Sequence, residues 1–455
     1  MTTNVAVVGA GISGLASAVA LAHRGARVVV FETDSILGGL GSTFDYEYKG
    51  AAGITKKFSL EKFYHCLLPS DAALLALLEK VGIRKEVIWH DVGMGFMENH
   101  QIYPLNGPMD LLRFSPLPIL DRLRLGWMGL HARRNGPTLD LDRIRVSDWI
   151  CKLAGRNVYE KLFRFLLESK LGEGAGNIPA LWLASRIHRE KGSNQERKGF
   201  VPGGYRAIVA AIEEYLRSKD VTIHTESPVD EVLLDNSTVT VRVRGGRVEA
   251  FDQIVIAAPF IEFQRMTRQI PVDKNLASLQ LDYQGVVNCV FFLKKQLMKH
   301  YWMPIVNSGT VSQGLVELTN LVPPEQLGGL HVSYLLNYTH RSGEHYRKTD
   351  AELKQIYTKD LISIFPEAND SIVDAFVFKA PYVEPIWPLC YQSLRPSTSV
   401  VPGKVYLVST AQVYPKINAW NSCCEVAEEM ARAFVDETAN TKIEAGVRVK
   451  SSNVL

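Results

Sequence analysis

An α/β fold with more than one structural unit is what this sequence predicts, and three observations carry that reading. A strand, a glycine-rich turn, a helix and a second strand follow one another from the first residues. A block of helical periodicity then fills about 104–198. Strand-like stretches and a closing strand–helix pair occupy the remainder. At 455 residues the chain is too long for one hydrophobic core, so two or three units are expected. A composition of 46% apolar and 22% charged residues is that of an ordinary globular protein. The formal net charge of +3 is close to balance. That argues against nucleic acid as a main partner, because such partners select a strong basic excess on one face.

Residues 4–8 read as a short buried strand, and 12–24 as a helix ended by Gly25 as a left-handed cap. Residues 26–31 read as a second buried strand, so that a parallel sheet begins here. Helical patterns cover 110–134, 147–153, 158–167 and 180–191, and Gly203-Gly204 opens another over 207–217. Strands are read at 221–224, 238–243 and 253–257, followed by a β-rich stretch over about 285–336. A buried strand at 404–408 and a helix at 422–435 close the fold; from Glu437 the residues are polar and read as a frayed tail. The six cysteines form no Cys-x-x-Cys pair, and no His cluster has zinc spacing. Free thiols in a reducing compartment and no metal site are therefore expected. The opening Met-Thr-Thr-Asn has no basic n-region or cleavage site, and no uncharged apolar run reaches membrane-spanning length. A cytoplasmic protein is expected, with contact to a membrane surface left open.

Gly9-Ala10-Gly11-Ile12-Ser13-Gly14 lies between a strand and a helix, and Glu32 ends the next strand. This context makes the motif a dinucleotide site rather than a chance glycine cluster. Gly9 makes the turn, Gly11 lets the backbone approach a pyrophosphate, and Gly14 lets the helix pack on the strand. The helix N-terminus offers free N–H groups to the phosphates, and Glu32 can accept from a ribose diol. FAD and NAD both use this fingerprint.

Six residues after Glu32 stands Gly38-Gly39-Leu40-Gly41-Ser42. Here the sequence resembles the flavoprotein superfamily of amine oxidases, protoporphyrinogen oxidases and phytoene desaturases, in which such a Gly-Gly pair runs beside the FAD diphosphate. The resemblance recurs down the chain. Glu61-Lys62-Phe63-Tyr64-His65 and Val201-Pro202-Gly203-Gly204-Tyr205 resemble segments of a bacterial branch. Ser227-Pro228-Val229 is similar to the segment whose valine backbone meets the adenine. The stretch 254–259, including Ala258, is similar to the strand returning to the FAD domain. Residues 404–415 and 421–431 are similar to the C-terminal flavin segment, where Thr410, Gln412, Asn421 and Ser422 would meet the cofactor.

The resemblance implies a Rossmann-type FAD domain built from 1–60, 199–262 and 400–437. It implies an antiparallel-sheet substrate domain from 61–104 and 263–399, a helical subdomain at 105–198, and a flexible tail at 438–455. The chain departs from the pattern in two places. Ser35-Ile36-Leu37 replaces an arginine often found before the Gly-Gly pair, and Ser409-Thr410-Ala411-Gln412 replaces a glycine and an acidic residue. Cys390-Tyr391 is the one place a covalent flavin link would fit, but its flanks do not follow that motif, so a buried free cysteine and non-covalent FAD are expected.

On the substrate side, amine oxidases place a lysine near flavin N5. The corresponding strand, 285–291, has none, and Val287 or Asn288 stands there instead. His65, His188, His340 and Arg341 are candidate pocket groups, with His65 the candidate proton acceptor. Tyr338, Tyr391, Tyr414 and Trp420 are candidate substrate contacts. The stretch 110–134 mixes apolar residues with Arg113, Arg122, Arg124, Arg133 and Arg134. It allows a membrane-surface helix, although a helix packed on its own domain with solvated arginines is the preferred reading. The resemblance implies an FAD-dependent oxidoreductase that dehydrogenates or desaturates a small-to-medium, partly apolar metabolite by hydride transfer to flavin N5. Two rivals are a redox-neutral mutase of a sugar derivative and a non-catalytic escort-like binding module.

Overall fold

The computed structural model of the chain describes residues 2–49, 55–136, 140–172, 174–189, 196–235 and 238–452. Its first sheet has six strands in the order Ser399–Val401, Val405–Leu407, Gln253–Ile256, Asn4–Val8, Arg27–Phe31 and Thr222–His224. All neighbours are parallel except the edge strand Ser399–Val401. Ala6 pairs with Val29 on one side and Ile254 on the other, inside a strand of fully buried valines. A strand covered on both faces has no use for alternation, which is why 4–8 is a continuous apolar run. The helices Ile12–His23 and Trp420–Ser452 lie against each other in this part of the fold. A three-stranded sheet, Val229–Asp235, Thr238–Val243 and Val248–Phe251, accompanies it.

The second large sheet has seven strands, in the order Ile372–Ile386, Asp282–Leu293, His331–Thr339, Gly314–Glu317, Trp302–Val306, Gly95–Glu98 and Gln101–Pro104. Its long central strand, Asp282–Leu293, alternates between two cores. Val287, Cys289, Phe291 and Leu293 pack towards Leu353, Tyr357 and Leu361 of the helix Asp350–Ile364. Val286, Val290 and Phe292 face the other way, with Tyr334 and Leu336 of the neighbouring strand. That second face looks towards the hairpin Thr43–Lys49 and Thr55–Glu61, which continues from the glycine-rich turn. Helices between 108 and 189 pack over its end.

Several elements differ from the sequence reading. The helix expected over 110–134 is two, Pro108–Arg113 and Ile119–Asn135, because Pro116 and Pro118 bar helical backbone between them. The stretch 158–167 is part of a longer helical run that widens into a π turn at Tyr159–Phe163. The last helix does not stop near Val435 but runs to Ser452. No proline interrupts it, and extending a helix needs no second nucleation. Residues 190–191 of the helix expected over 180–191, and 453–455 of the expected tail, lie outside the described residues. The helix Asp350–Ile364 and the strand Ile372–Ile386 were not foreseen.

Asp142 joins the helical part to the C-terminal segment. Its Oδ1 accepts from the Tyr414 hydroxyl, its Oδ2 from Gln392 N–H at 3.0 Å, and its backbone carbonyl from Cys390 N–H at 2.9 Å. The carboxylate is buried, so removing it leaves the buried Tyr414 hydroxyl without its acceptor. Asp142→Ala should lower unfolding free energy by about 2–4 kcal/mol, and Asp142→Asn by less. Denaturant midpoints of the three proteins test this; equal midpoints for Asp142→Ala and the parent would mean that the junction is dispensable.

Candidate functional site

Gly9 sits at the end of the first strand with φ +98, and its N–H donates to Phe31 O at 2.8 Å. A Cβ there would run into the Ala257 carbonyl, and one at Gly14 would run into the Gly9 carbonyl. These two glycines are imposed by the protein's own backbone. Gly11 is different: its φ of −67 suits any residue, and the nearest atom to a Cβ there is Gly39 Cα at 3.9 Å. Space is therefore kept free in front of the helix Ile12–His23, whose first turn has no side-chain cap. That is the space a pyrophosphate takes at a helix N-terminus, so these residues fit a dinucleotide cofactor.

Glu32 Oε2 accepts from Ala10 N–H at 2.6 Å and Oε1 from Asp34 N–H at 2.9 Å, which fixes the carboxylate at the strand end. Gly38 N–H donates to Ala10 O at 2.9 Å, laying the second glycine loop beside the first. Gly38 and Gly39 have φ +110 and +58. The loop closes through Gly41 and Ser42, whose N–H groups reach Gly38 O and Gly39 O at 3.0 Å, while Leu40 turns into the second-sheet core. Ser13 stays on the helix, its carbonyl accepting from Ser17 Oγ and its side chain beside the Cys423 thiol. At the other end of Glu32, Ser227 N–H donates to its carbonyl at 2.7 Å. Val229 follows, buried, its own carbonyl accepting from Arg265 at 3.2 Å. Ala258 is half-buried just beyond the Gly9 contact.

The C-terminal segment supplies a second feature that fits a bound cofactor. Gln412 is 1% exposed; its Oε1 accepts from Ser409 N–H at 2.8 Å, and its Nε2 is buried with no partner. A buried donor of this kind costs stability unless something bound accepts from it. Thr410 Oγ1 reaches Tyr283 at 3.4 Å, and Ser422 is buried in the first turn of the last helix.

Four residues expected at ligands also hold the frame together. Asn421 Oδ1 accepts from Ala73 and Leu74 N–H at 3.0 and 3.1 Å, capping the helix Ala72–Lys80. Tyr391 is fully buried and donates to Ala411 O at 2.9 Å, and Arg395 donates to Gln412 O at 2.7 Å. Tyr414 is spent on Asp142, and its ring packs with Trp387 and Tyr391, each at 5.3 Å. Trp420 covers Gly41 and meets Tyr205 edge-on at 4.3 Å. These aromatic groups were read as substrate contacts because they flank the flavin segment. They flank it as its backing. Cys390 is half-buried rather than buried, with its N–H on the Asp142 carbonyl.

His65 is half-buried, with Nδ1 2.8 Å from Phe63 O. A carbonyl only accepts, so Nδ1 carries the proton and Nε2 the lone pair. Burial pushes its pKa down to about 4, against a partial upward pull from the Phe63 carbonyl. It is therefore uncharged near neutrality and a weak base. The other polar candidates are scattered: His188 on Arg133 O at 2.8 Å, His340 beside Asp282 at 3.2 Å, and Arg341 over the Tyr382 ring at 5.0 Å.

The sheet face turned towards the hairpin holds what the sequence reading largely missed. The strand Asp282–Leu293 carries no lysine before Lys294. Asn288 is 1% exposed, donates through Nδ2 to Lys62 O at 2.6 Å, and leaves Oδ1 buried and unpartnered. Val286 pairs with Tyr338, and Asn288 with Leu336. Tyr338 meets Tyr64, and the Arg186 charge lies near enough to favour both phenolates, though burial dominates and raises both pKa values. Beside them Lys170 Nζ stands 3.4 Å from Glu384 Oε2 and 6.0 Å from the Tyr338 ring. Glu384 is 2% exposed and its Oε1 has no partner. The available signal was a single acid in the otherwise apolar stretch Tyr382-Val383-Glu384-Pro385-Ile386. Lys294, just past the strand Asp282–Leu293, and Lys416, near the C-terminal segment, are held at Asp370 O and Glu425 at 3.0 and 2.6 Å.

Two outcomes follow. Gly11→Val fits the backbone, so it should melt like the parent yet lose FAD, read as visible absorbance of the purified protein. Normal flavin content would remove the pyrophosphate from this turn. For His65 the folded pKa lies below the ordinary 6.5, so its contribution to stability is present above pH 6.5 and is lost as pH falls towards 4. His65→Phe should flatten that acid limb, by up to about 3 kcal/mol; an unchanged pH–stability curve would rule out a buried neutral imidazole.

The family profile described as flavin containing amine oxidoreductase matches residues 12–387. Coproporphyrinogen III oxidase of Staphylococcus aureus is 20% identical over 305 residues, 60% of this chain and 64% of that protein. The flavin-containing amine oxidase B of Sus scrofa is 22% identical over 318 residues, 65% of this chain and 58% of that protein. The alignments thus span less than two thirds of these curated relatives. The solved structure of an oxidoreductase from Methanosarcina mazei superposes with a TM-score of 0.70 at 18% identity, covering 94% of this chain and 99% of the other, which shows the shared fold.

Proposed function

The chain belongs to the flavin-containing amine oxidoreductases, a family of FAD-dependent oxidoreductases, and on that footing we propose that it dehydrogenates or desaturates a small-to-medium, partly apolar metabolite. FAD, when bound, supplies the hydride acceptor. Gly9–Gly14, Glu32 and Gly38–Ser42 would hold its dinucleotide part, and Ser409–Gln412 with Ser422 its flavin end.

The observation that carries the substrate reading is the composition of the sheet face at Asn288. Val286, Leu336 and Ala380 make it apolar, and Tyr338 with the Lys170–Glu384 pair makes one end polar. A donor molecule lying there would keep its apolar body against the valine and leucine and could offer an O–H or N–H to Glu384 Oε1. The relatives that oxidise amines and porphyrinogens are compatible with such a face. His65 is placed for orientation more than for proton removal, given its low basicity. The mutase reading would need basic groups gathered on a diphosphate. Arg133 and Arg134 are instead exposed at the end of the helix Ile119–Asn135. The space kept open at Gly11 argues against a flavin-free escort module.

Anaerobic mixing with amines, porphyrinogens, polyenes and sugar derivatives tests the proposal. Net, lasting bleaching of the flavin by one class is the expected result. Turnover seen only after dithionite reduction, with no net bleaching, would replace the dehydrogenase with an isomerase. Acid precipitation should release free FAD, and flavin retained in the pellet would mean a covalent link. With Val287 or Asn288 where the resemblance implies a lysine in amine oxidases, photoreduced protein should reoxidise slowly in air. Stopped-flow reoxidation as fast as in amine oxidases would show that the lack of that lysine does not limit the reaction with oxygen.

A further inference from the structure

The helix Ile119–Asn135 is apolar on two opposite sides. One side is buried in the fold through Asp121, Leu125, Met128 and Ala132. The other carries Ile119, Leu120, Leu123, Trp127 and Leu130, each between 55% and 60% exposed. At 3.6 residues per turn, positions 119, 123, 127 and 130 fall in one line with 120 beside it, so these side chains form one stripe. The preceding helix Pro108–Arg113 extends the stripe with Met109, 59% exposed, and Leu112, 39% exposed. Arg122 ties the two helices together by donating to Leu112 O and Leu117 O, both at 2.6 Å. The solvated, self-packed helix preferred from sequence is thus only half of what is found. Single exposed leucines are ordinary, but a ridge of this size on a folded protein marks a surface that something covers.

The charges say what covers it. Arg113, Arg124, Arg133 and Arg134 are exposed around the ridge. The two acids of 108–135 are turned inward: Asp121 is buried against Asn157 at 2.6 Å, and Asp110 is half-buried, accepting from Asn106 N–H at 2.9 Å. Every exposed charge of the ridge is therefore positive. A second copy would bring arginine against arginine, whereas an anionic bilayer surface offers hydrocarbon to the ridge and phosphate to its flanks. Trp127, with the His131 ring tilted beside it at 6.3 Å, is the kind of amphipathic ring that settles at headgroup level.

We propose that the helices Pro108–Arg113 and Ile119–Asn135 seat the protein on an anionic lipid surface by their apolar ridge and arginine flanks. No helix among the described residues is long and apolar enough to cross a membrane, so the attachment is peripheral and salt-sensitive. It does not rest on the oxidoreductase reading, because the ridge lies outside the residues assigned to cofactor or substrate.

Flotation of the flavin-loaded protein with vesicles tests it. Vesicles of phosphatidylcholine containing phosphatidylglycerol should carry the protein up at low salt, and phosphatidylcholine alone should carry much less. Leu123→Asp combined with Trp127→Ala should reduce the bound fraction at least about tenfold, as should Arg133→Glu combined with Arg134→Glu. Flavin absorbance unchanged in both variants shows that folding is intact, and Lys57→Glu on the exposed hairpin should bind like the parent. Protein that stays behind with every vesicle composition overturns the proposal. So do ridge variants that float like the parent, or light scattering that shows a dimer broken by Leu123→Asp without any lipid binding.

Discussion

The architecture hangs on how closely three backbone segments approach at the first turn. Gly9 and Gly14 leave no room for a Cβ because the Ala257 carbonyl and the Gly9 carbonyl occupy it. That contact joins the first strand, the helix after it and a strand some 245 residues later. Ala10 then uses both of its backbone groups, the N–H on Glu32 and the carbonyl on Gly38 N–H. The dinucleotide loop is thus built as a junction before any ligand is considered. At Gly11 the nearest atom to a Cβ is Gly39 Cα at 3.9 Å, an ordinary contact. The distinction matters for interpretation: two glycines of the motif report packing, and one reports the ligand.

A second junction connects this frame to the substrate sheet. Glu61 Oε1 accepts from Tyr205 N–H at 2.6 Å at the start of the helix Gly204–Arg217, and its backbone carbonyl accepts from Tyr334 at 2.9 Å. The next carbonyl, of Lys62, accepts from Asn288. Burial pushes the Glu61 carboxyl up, and the Tyr205 N–H works against that shift. One short segment therefore fixes a helix of the cofactor part, the long strand of the sheet, and then the ring of His65. The low basicity of His65 follows from the same burial.

The division between what the sequence disclosed and what it hid follows from range. The glycine turn, Glu32 and the strands at 4–8 and 26–31 were legible because their signals are local: a period, a cap, a turn. The capping role of Asn421 is not legible in the sequence because its partners, Ala73 and Leu74, are distant along the chain. The hydroxyl partners of Tyr391 and Tyr414 are hidden for the same reason, since only the folded chain brings Ala411 O and Asp142 to them. Lys170 and Glu384 escaped notice because a lone lysine and a lone acid carry no pattern until a helix and a strand meet. The strand Ile372–Ile386 was missed because its residues are mostly half-buried and two prolines interrupt its pattern.

The helical part carries two demands that pull its sequence in different directions. Its inner side must pack with Met128 and Ala132 and cover a sheet face that ends in the Lys170–Glu384 pair. Its outer side keeps leucines and a tryptophan in water, with arginines around them. A helix serving only as a roof would be polar outside, because exposed apolar residues gain nothing from folding. Such a face persists only where burial against something else repays the solvent it orders.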